Sequence, residues 1–301
     1  MAKNVSRWIV VLLALLVLGP LAAWFTGLLR GPTGGENATL LASSSPIGGF
    51  LAGLTAIAIA TLFGCVVSRL LSLKAGLNAA GLILAWASWP LGTFESVVRE
   101  HRAPGVLITL GIEGLIVGAL GIASIVAIVA AGRVHLTKAI VGPDLDLRSE
   151  KSLARSLVQS LATRDFLAAA GIALAAGAAL AWVVAFESLK GQSLMAAVAA
   201  GIAAGAAGQL ASQSFGRPAT PVIPAAALGL LAFLGPLVGF AFAGGNFLTD
   251  AYAGNFFPLA VPNSLNWVAG MLLGGPVGLA WAGSMIEKHE VGGSQTNPAR
   301  S

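Results

Sequence analysis

This sequence is poor in charge. Asp, Glu, Lys and Arg make up 10% of its 301 residues, against roughly 25% in a soluble domain. There is one cysteine, Cys65, so an intrachain disulfide is excluded and the thiol reads as a small buried hydrophobe. The three histidines, His101, His135 and His289, lie far apart. No His-Glu-x-x-His, paired cysteines or acidic cluster occurs, which removes the usual metal sites. No Gly-x-Ser-x-Gly elbow occurs either, so a serine hydrolase lacks its nucleophile motif. A phosphate-binding glycine loop with lysine is also missing. From these absences we expect no catalytic residues, no metal, no cofactor and no enzymatic activity.

What is present is apolar. Hydrophobic residues account for 56% of the chain and come in long runs. A run of roughly 20 apolar residues crosses about 30 Å of hydrocarbon as a helix. Backbone amides have no water to bond there, so spans are helices or closed barrels. Barrel strands would alternate apolar with polar over about 10 residues. These runs do not, so the expected fold is an all-α integral membrane bundle of about eight transmembrane helices. The spans read as Trp8–Leu29, Ile47–Val67, Gly76–Phe94, Gly105–Ala131, Phe166–Phe186, Leu194–Ala211, Val222–Phe242 and Leu265–Ile286. Lys3 and Arg7 precede the first run as in a signal peptide, but the run is long and Leu21-Ala22-Ala23 is a poor cleavage site. It reads as an uncleaved anchor.

The +5 net charge reads as topological. With the N-terminus cytoplasmic, all basic residues but Arg30, Arg99, Arg102 and Lys190 fall inside, as the positive-inside rule requires. Both termini are then cytoplasmic, in an inner or plasma membrane. Nucleic acid is not an expected partner; membrane lipids are, together with other membrane chains or a second copy of this one.

The chain divides into a first membrane half (1–131), a cytoplasmic linker (132–165), a second half (166–286) and a tail (287–301). In the linker Leu153, Leu157 and Leu161 recur every four residues opposite Arg148, Lys151 and Arg155, an amphipathic helix pattern. The halves suggest a parallel 4+4 internal repeat. With a shift of 146, Pro90, Leu91 and Phe94 meet Pro236, Leu237 and Phe240. With a shift of 160, Gly114 and Gly118 meet Gly274 and Gly278. These pairs, and Gly201/Gly205, are Gly-x-x-x-Gly steps that let helix backbones approach closely. Further steps occur at Gly49/Gly53, Gly235/Gly239 and Gly270/Gly274.

Glu113 is the one clear acid inside a span, roughly 12 Å along its helix from Gly105. A charged acid at mid-membrane costs about 2.5–3.5 kcal/mol on insertion scales. It should therefore face the bundle, as a proton or ion site or as a hydrogen-bonded tie between helices. Asn78, Ser124, Gln209 and Asn266 read as helix-joining polar residues. The segment from Gly244 to Asn263, with Phe247, Tyr252, Phe256 and Phe257, reads as a cap lying on the outer leaflet. Asn37-Ala38-Thr39 fits a glycosylation acceptor. Two functions fit this pattern. One is a transporter or permease for a small or proton-coupled solute; the other is a non-catalytic structural or assembly subunit of a larger membrane complex.

Overall fold

The structure, a computed structural model, describes residues 2–35, 38–140, 163–216 and 220–294. The amphipathic linker pattern at 148–161 lies outside them. The described residues are helical, with no strand. In chain order the helices are α1 (Ala2–Leu13), α2 (Gly19–Gly27), α3 (Pro46–Leu70), α4 (Leu73–Ser88), α5 (Phe94–His101), α6 (Val106–Ile140), α7 (Arg164–Val184), α8 (Lys190–Ser214), α9 (Val222–Phe242), α10 (Phe247–Tyr252) and α11 (Ser264–Ser294). A π-helical turn at Ala14–Leu18 joins α1 to α2 just before Pro20. Proline there has no N–H and crowds the preceding turn, and a π-bulge absorbs the mismatch.

Among the described residues, seven helices are long and apolar enough to cross a membrane: Val5–Gly27, Pro46–Leu70, Val106–Gly132, Arg164–Val184, Lys190–Ser214, Val222–Phe242 and Ser264–Met285. The chain is an all-helical, multi-pass integral membrane protein. The expected span Gly76–Phe94 differs. Its helix, α4, covers only 16 residues, about 24 Å. Pro90 is the reason: it has no N–H to continue the helical ladder and its ring crowds the turn before it, although Trp89 itself keeps helical angles. Trp89 closes α4, and Phe94 begins a separate short helix capped by Thr93. Pro236, matched to Pro90 in the repeat alignment, instead lies inside α9. The two prolines do different things.

Although short, α4 runs the full depth of the bundle. Its first residue, Leu73, stands beside Gly132 at the far end of α6. Its last turn meets the end of α2, where Thr26 Oγ1 donates to the Ala87 carbonyl at 2.7 Å. That bond satisfies a carbonyl at a helix end. α3 and α6 are joined by Thr61 Oγ1 donating to Ser124 Oγ at 2.7 Å and by Ser68 Oγ donating to the Ile128 carbonyl at 3.2 Å. α4 packs on α11, and α9 packs on α6. The helix before the last span of each half is thus not confined to its own half: α4 lies against α11, and α9 against α6.

The glycine steps are contacts within the chain. Gly201 and Gly205 on α8 face the carbonyls of Gly270 and Gly275 on α11, while Gly270, Gly274 and Gly278 face those of Ala197, Val198 and Ile202. Residue numbers rise together on the two helices, so this most extensive contact in the molecule is parallel. Gly114 and Gly118, however, face Ala232 and Gly229 of α9 in an antiparallel pair. The aligned glycines of the two halves therefore serve different neighbours. Gly49 and Gly53 receive Leu40 from a non-helical segment, and Gly235 and Gly239 receive Leu259 and Phe256.

Beyond the spans, α5, α10 and the 256–261 segment enclose a second apolar core around Phe94, Val97, Val98, Phe247 and Phe256. Phe94 and Phe256 stack with centroids 5.0 Å apart. This corrects the outer-leaflet reading of Gly244–Asn263: Phe247 and Phe256 are buried in protein, and only Tyr252 of that aromatic set is exposed.

Any side chain at Gly201 would collide with backbone at the α8–α11 contact. Gly201→Leu is expected to destabilise the protein by at least about 1–3 kcal/mol, the usual cost of overpacking, in reversible unfolding in mixed micelles. Gly171→Ala on α7, where the added carbon meets nothing within 4 Å, is the neutral control.

Candidate functional site

Glu113 projects from the first third of α6 and is 1% exposed. What surrounds it is mostly not helix. The segment from Ala38 to Ser43 leaves the surface and enters the bundle, with Ala38, Thr39, Leu40, Ala42 and Ser43 all buried. Leu40 fills the space left by Gly49 and Gly53 on α3. Backbone of this kind at membrane depth is tolerated only where protein satisfies its polar groups. Here Glu113 does so. The Leu41 N–H donates to Glu113 Oε2 at 2.8 Å. The Leu40 amide and the Thr39 hydroxyl lie against the same carboxyl. Other local bonds complete the segment: the Gly92 N–H donates to the Ala38 carbonyl at 3.0 Å, Ser43 Oγ to the Leu40 carbonyl at 3.0 Å, and the Ser44 N–H to the Arg30 carbonyl at 2.8 Å. Ser45 then caps α3, and Pro46 opens it.

The other carboxyl oxygen faces the second half. Ser264 Oγ donates to Glu113 Oε1 at 2.6 Å. Ser264 is the first residue of α11, whose N-terminus is also closed by Asn263 Oδ1 accepting from the Asn266 N–H at 2.9 Å. The positive end of the α11 dipole therefore lies beside the acid, where it favours negative charge. Among the described residues no lysine, arginine or histidine pairs with Glu113. Hydrogen bonds of this type contribute about 1.5–3 kcal/mol each to a charged acceptor and about 1 to a neutral one. Either protonation form is thus held by donors from two halves.

Beside the carboxyl is a cavity of about 20 Å³ lined by Thr39, Phe94, Pro236, Asn263 and Ser264 among others. It has room for one water molecule. Ligand pockets for organic solutes run to several hundred cubic ångströms. No group of three or more metal-ligating side chains is found among the described residues.

Of the residues singled out from sequence, Glu113 is a buried centre. Gly114 and Gly118 hold α6 on α9 just beyond it, while Gly201, Gly205, Gly274 and Gly278 lie at the separate α8–α11 contact. Ser124 joins helices as expected. Among the described residues, the buried Asn266 side chain makes no hydrogen bond, and the buried Asn78 Oδ1, Ser212 Oγ and Trp267 Nε1 atoms meet no partner. Asn37 of the glycosylation triplet lies outside the described residues, while its Thr39 hydroxyl is buried against Glu113. Sequence reading missed Thr39, Leu40, Leu41 and Ser264. Their only signal was apolar residues, Leu40 and Leu41, in a stretch too short and aperiodic to be a span. No protein-family model, curated protein or solved structure matches the chain. The site is therefore interpreted from its own geometry.

Glu113→Gln keeps one acceptor oxygen and brings an amide against the donors on the other side. It is expected to cost about 1–3 kcal/mol, the penalty for unmatched buried polar groups. Ser264→Ala should cost about 1 kcal/mol. Both are read from unfolding midpoints in micelles, and equal stability of all three proteins would contradict the assignment.

Proposed function

We propose that this protein is a non-catalytic subunit or assembly factor of a larger membrane complex, crossing the bilayer eight times with both termini cytoplasmic. The observation that carries the functional reading is the closure of Glu113. The acid that would serve a carrier is occupied by Leu41 and Ser264, and the space beside it admits one water rather than a solute. Large apolar side chains remain outward on several helices, including Trp8, Leu16 and Trp24 on the first span and Leu167, Ile172 and Trp182 on α7. Lipid tails cover such faces, and helices of partner chains do so equally well.

The eight-crossing topology is supported by α4, which returns the chain from the Gly132 side to the Thr26 side between α3 and α6. Cytoplasmic termini in an inner or plasma membrane follow from that count together with the distribution of lysine and arginine. The 4+4 duplication is supported by the reciprocal packing of α4 on α11 and α9 on α6, while the differing glycine neighbours weigh against the register of the sequence alignment.

A proton-coupled carrier is the second reading, favoured by the water-sized cavity at Glu113. Purification in mild detergent with native mass analysis separates the two. Stoichiometric partner chains, with no proton flux in liposomes for either wild type or Glu113→Gln, are the expected result. A lone chain that moves protons in a Glu113-dependent way would overturn it.

A further inference from the structure

The α8–α11 pair brings two positive helix ends together, and only that of α11 is met, by Asn263 and by Glu113 through Ser264. The two helices are parallel and in backbone contact, so their N-termini lie side by side on the outer face of the bundle. Each end carries about half a positive charge, and like ends repel. α8 has no side-chain cap on its first amides, since Leu189 precedes it. Its first residue adds a further positive charge, Lys190, for which no ion pair or hydrogen bond is found among the described residues.

Between these ends is a recess lined by Thr93, Lys190, Ser193, Asn263 and Asn266, with Trp89 at its side. Asn266 is 3% exposed and lines the recess, and no hydrogen bond of its side-chain amide is found among the described residues. Asn263 uses its Oδ1 to cap α11, which leaves its NH₂ group as a donor. Ser193 and Thr93 are already engaged locally. No acid lines the recess. Glu113 lies beyond Ser264, its carboxyl oxygens taken by Leu41 and Ser264. Glu187, the nearest acid along the chain, is exposed.

We infer that this recess is an anion site for a phosphate oxyanion, formed by the paired N-termini of α8 and α11 with Lys190, Asn263 and Asn266. Helix N-termini are ready-made phosphate sites. Paired N-termini with an amide and an ammonium supply several donors and a net positive field, matching a tetrahedral oxyanion. The enclosed space is only about 10 Å³, so the phosphate sits at the open mouth. That mouth is at the start of a membrane-crossing helix, the level at which lipid phosphates lie. A phosphodiester headgroup and free phosphate share this chemistry.

The test uses the full chain in detergent with three probes: dioleoylphosphatidylglycerol, dioleoylglycerol with the same tails and no phosphate, and inorganic phosphate. Native mass analysis is expected to show at least fivefold more phosphatidylglycerol retained by wild type than by Lys190→Gln or Asn266→Asp, and no specific retention of dioleoylglycerol. In wild type, acetylation of Lys190 should slow at least fivefold in phosphatidylglycerol relative to dioleoylglycerol, a readout that does not depend on whether the variants fold. If inorganic phosphate alone protects Lys190 and displaces the lipid, the site stands with the free anion as its ligand. Unaltered Lys190 acetylation with both phosphate probes would overturn the proposal.

Discussion

Non-helical backbone buried at membrane depth must find hydrogen-bond partners within the protein, because hydrocarbon offers none. The segment at Ala38–Ser43 is such backbone, and the Glu113 carboxyl is what meets its need. An acid is suited to this because, once ionised, it only accepts, and its two oxygens take several donors at once. The same group reaches Ser264 at the head of α11. One side chain thus joins a buried loop, the helix that carries it and the opposite half of the bundle. The costly feature of the sequence, an acid in a span, and the costly feature of the fold, a loop in the membrane, compensate each other.

The rest of the architecture follows from small residues. Water does not drive helices together in lipid, so close backbone approach and interhelical hydrogen bonds must hold them. The glycines of α8 and α11 allow a parallel contact in which carbonyls of one helix occupy the space a side chain would take on the other. Gly114 and Gly118 do the same between α6 and α9. Hydroxyls at Thr26, Thr61 and Ser68 add hydrogen bonds between helices. Beyond the spans, α5 and α10 build a small core of their own around stacked phenylalanines. The parallel pairing leaves two positive helix ends together, which gives the outer recess its chemistry.

Most of the helical framework was legible because hydrophobic runs of span length have few other interpretations. The boundaries that failed have identifiable causes. Pro90 stopped α4 instead of bending it, and periodicity does not distinguish these outcomes at a helix end. Aromatic residues at 247 and 256 suit both an interface and a core, and only tertiary contacts decide between them. Glu113 stood out by its cost, but its partners did not. Leu40 and Leu41 contribute backbone amides, which no residue type marks, and Ser264 is separated from Glu113 by 151 residues. The matched glycines were correctly read as close-packing positions, yet composition carries no information about which neighbour each one meets.

The central claim is that Glu113 secures a buried loop. Hydrogen–deuterium exchange of the wild-type protein in lipid nanodiscs, read across the Thr39–Ser43 amides, tests it most directly. The account predicts exchange as slow as in the α6 helix that carries Glu113. Exchange as fast as in the surface turn around Gly34, which has nothing packed against it, would show that the segment is not held in the bundle and would contradict the account.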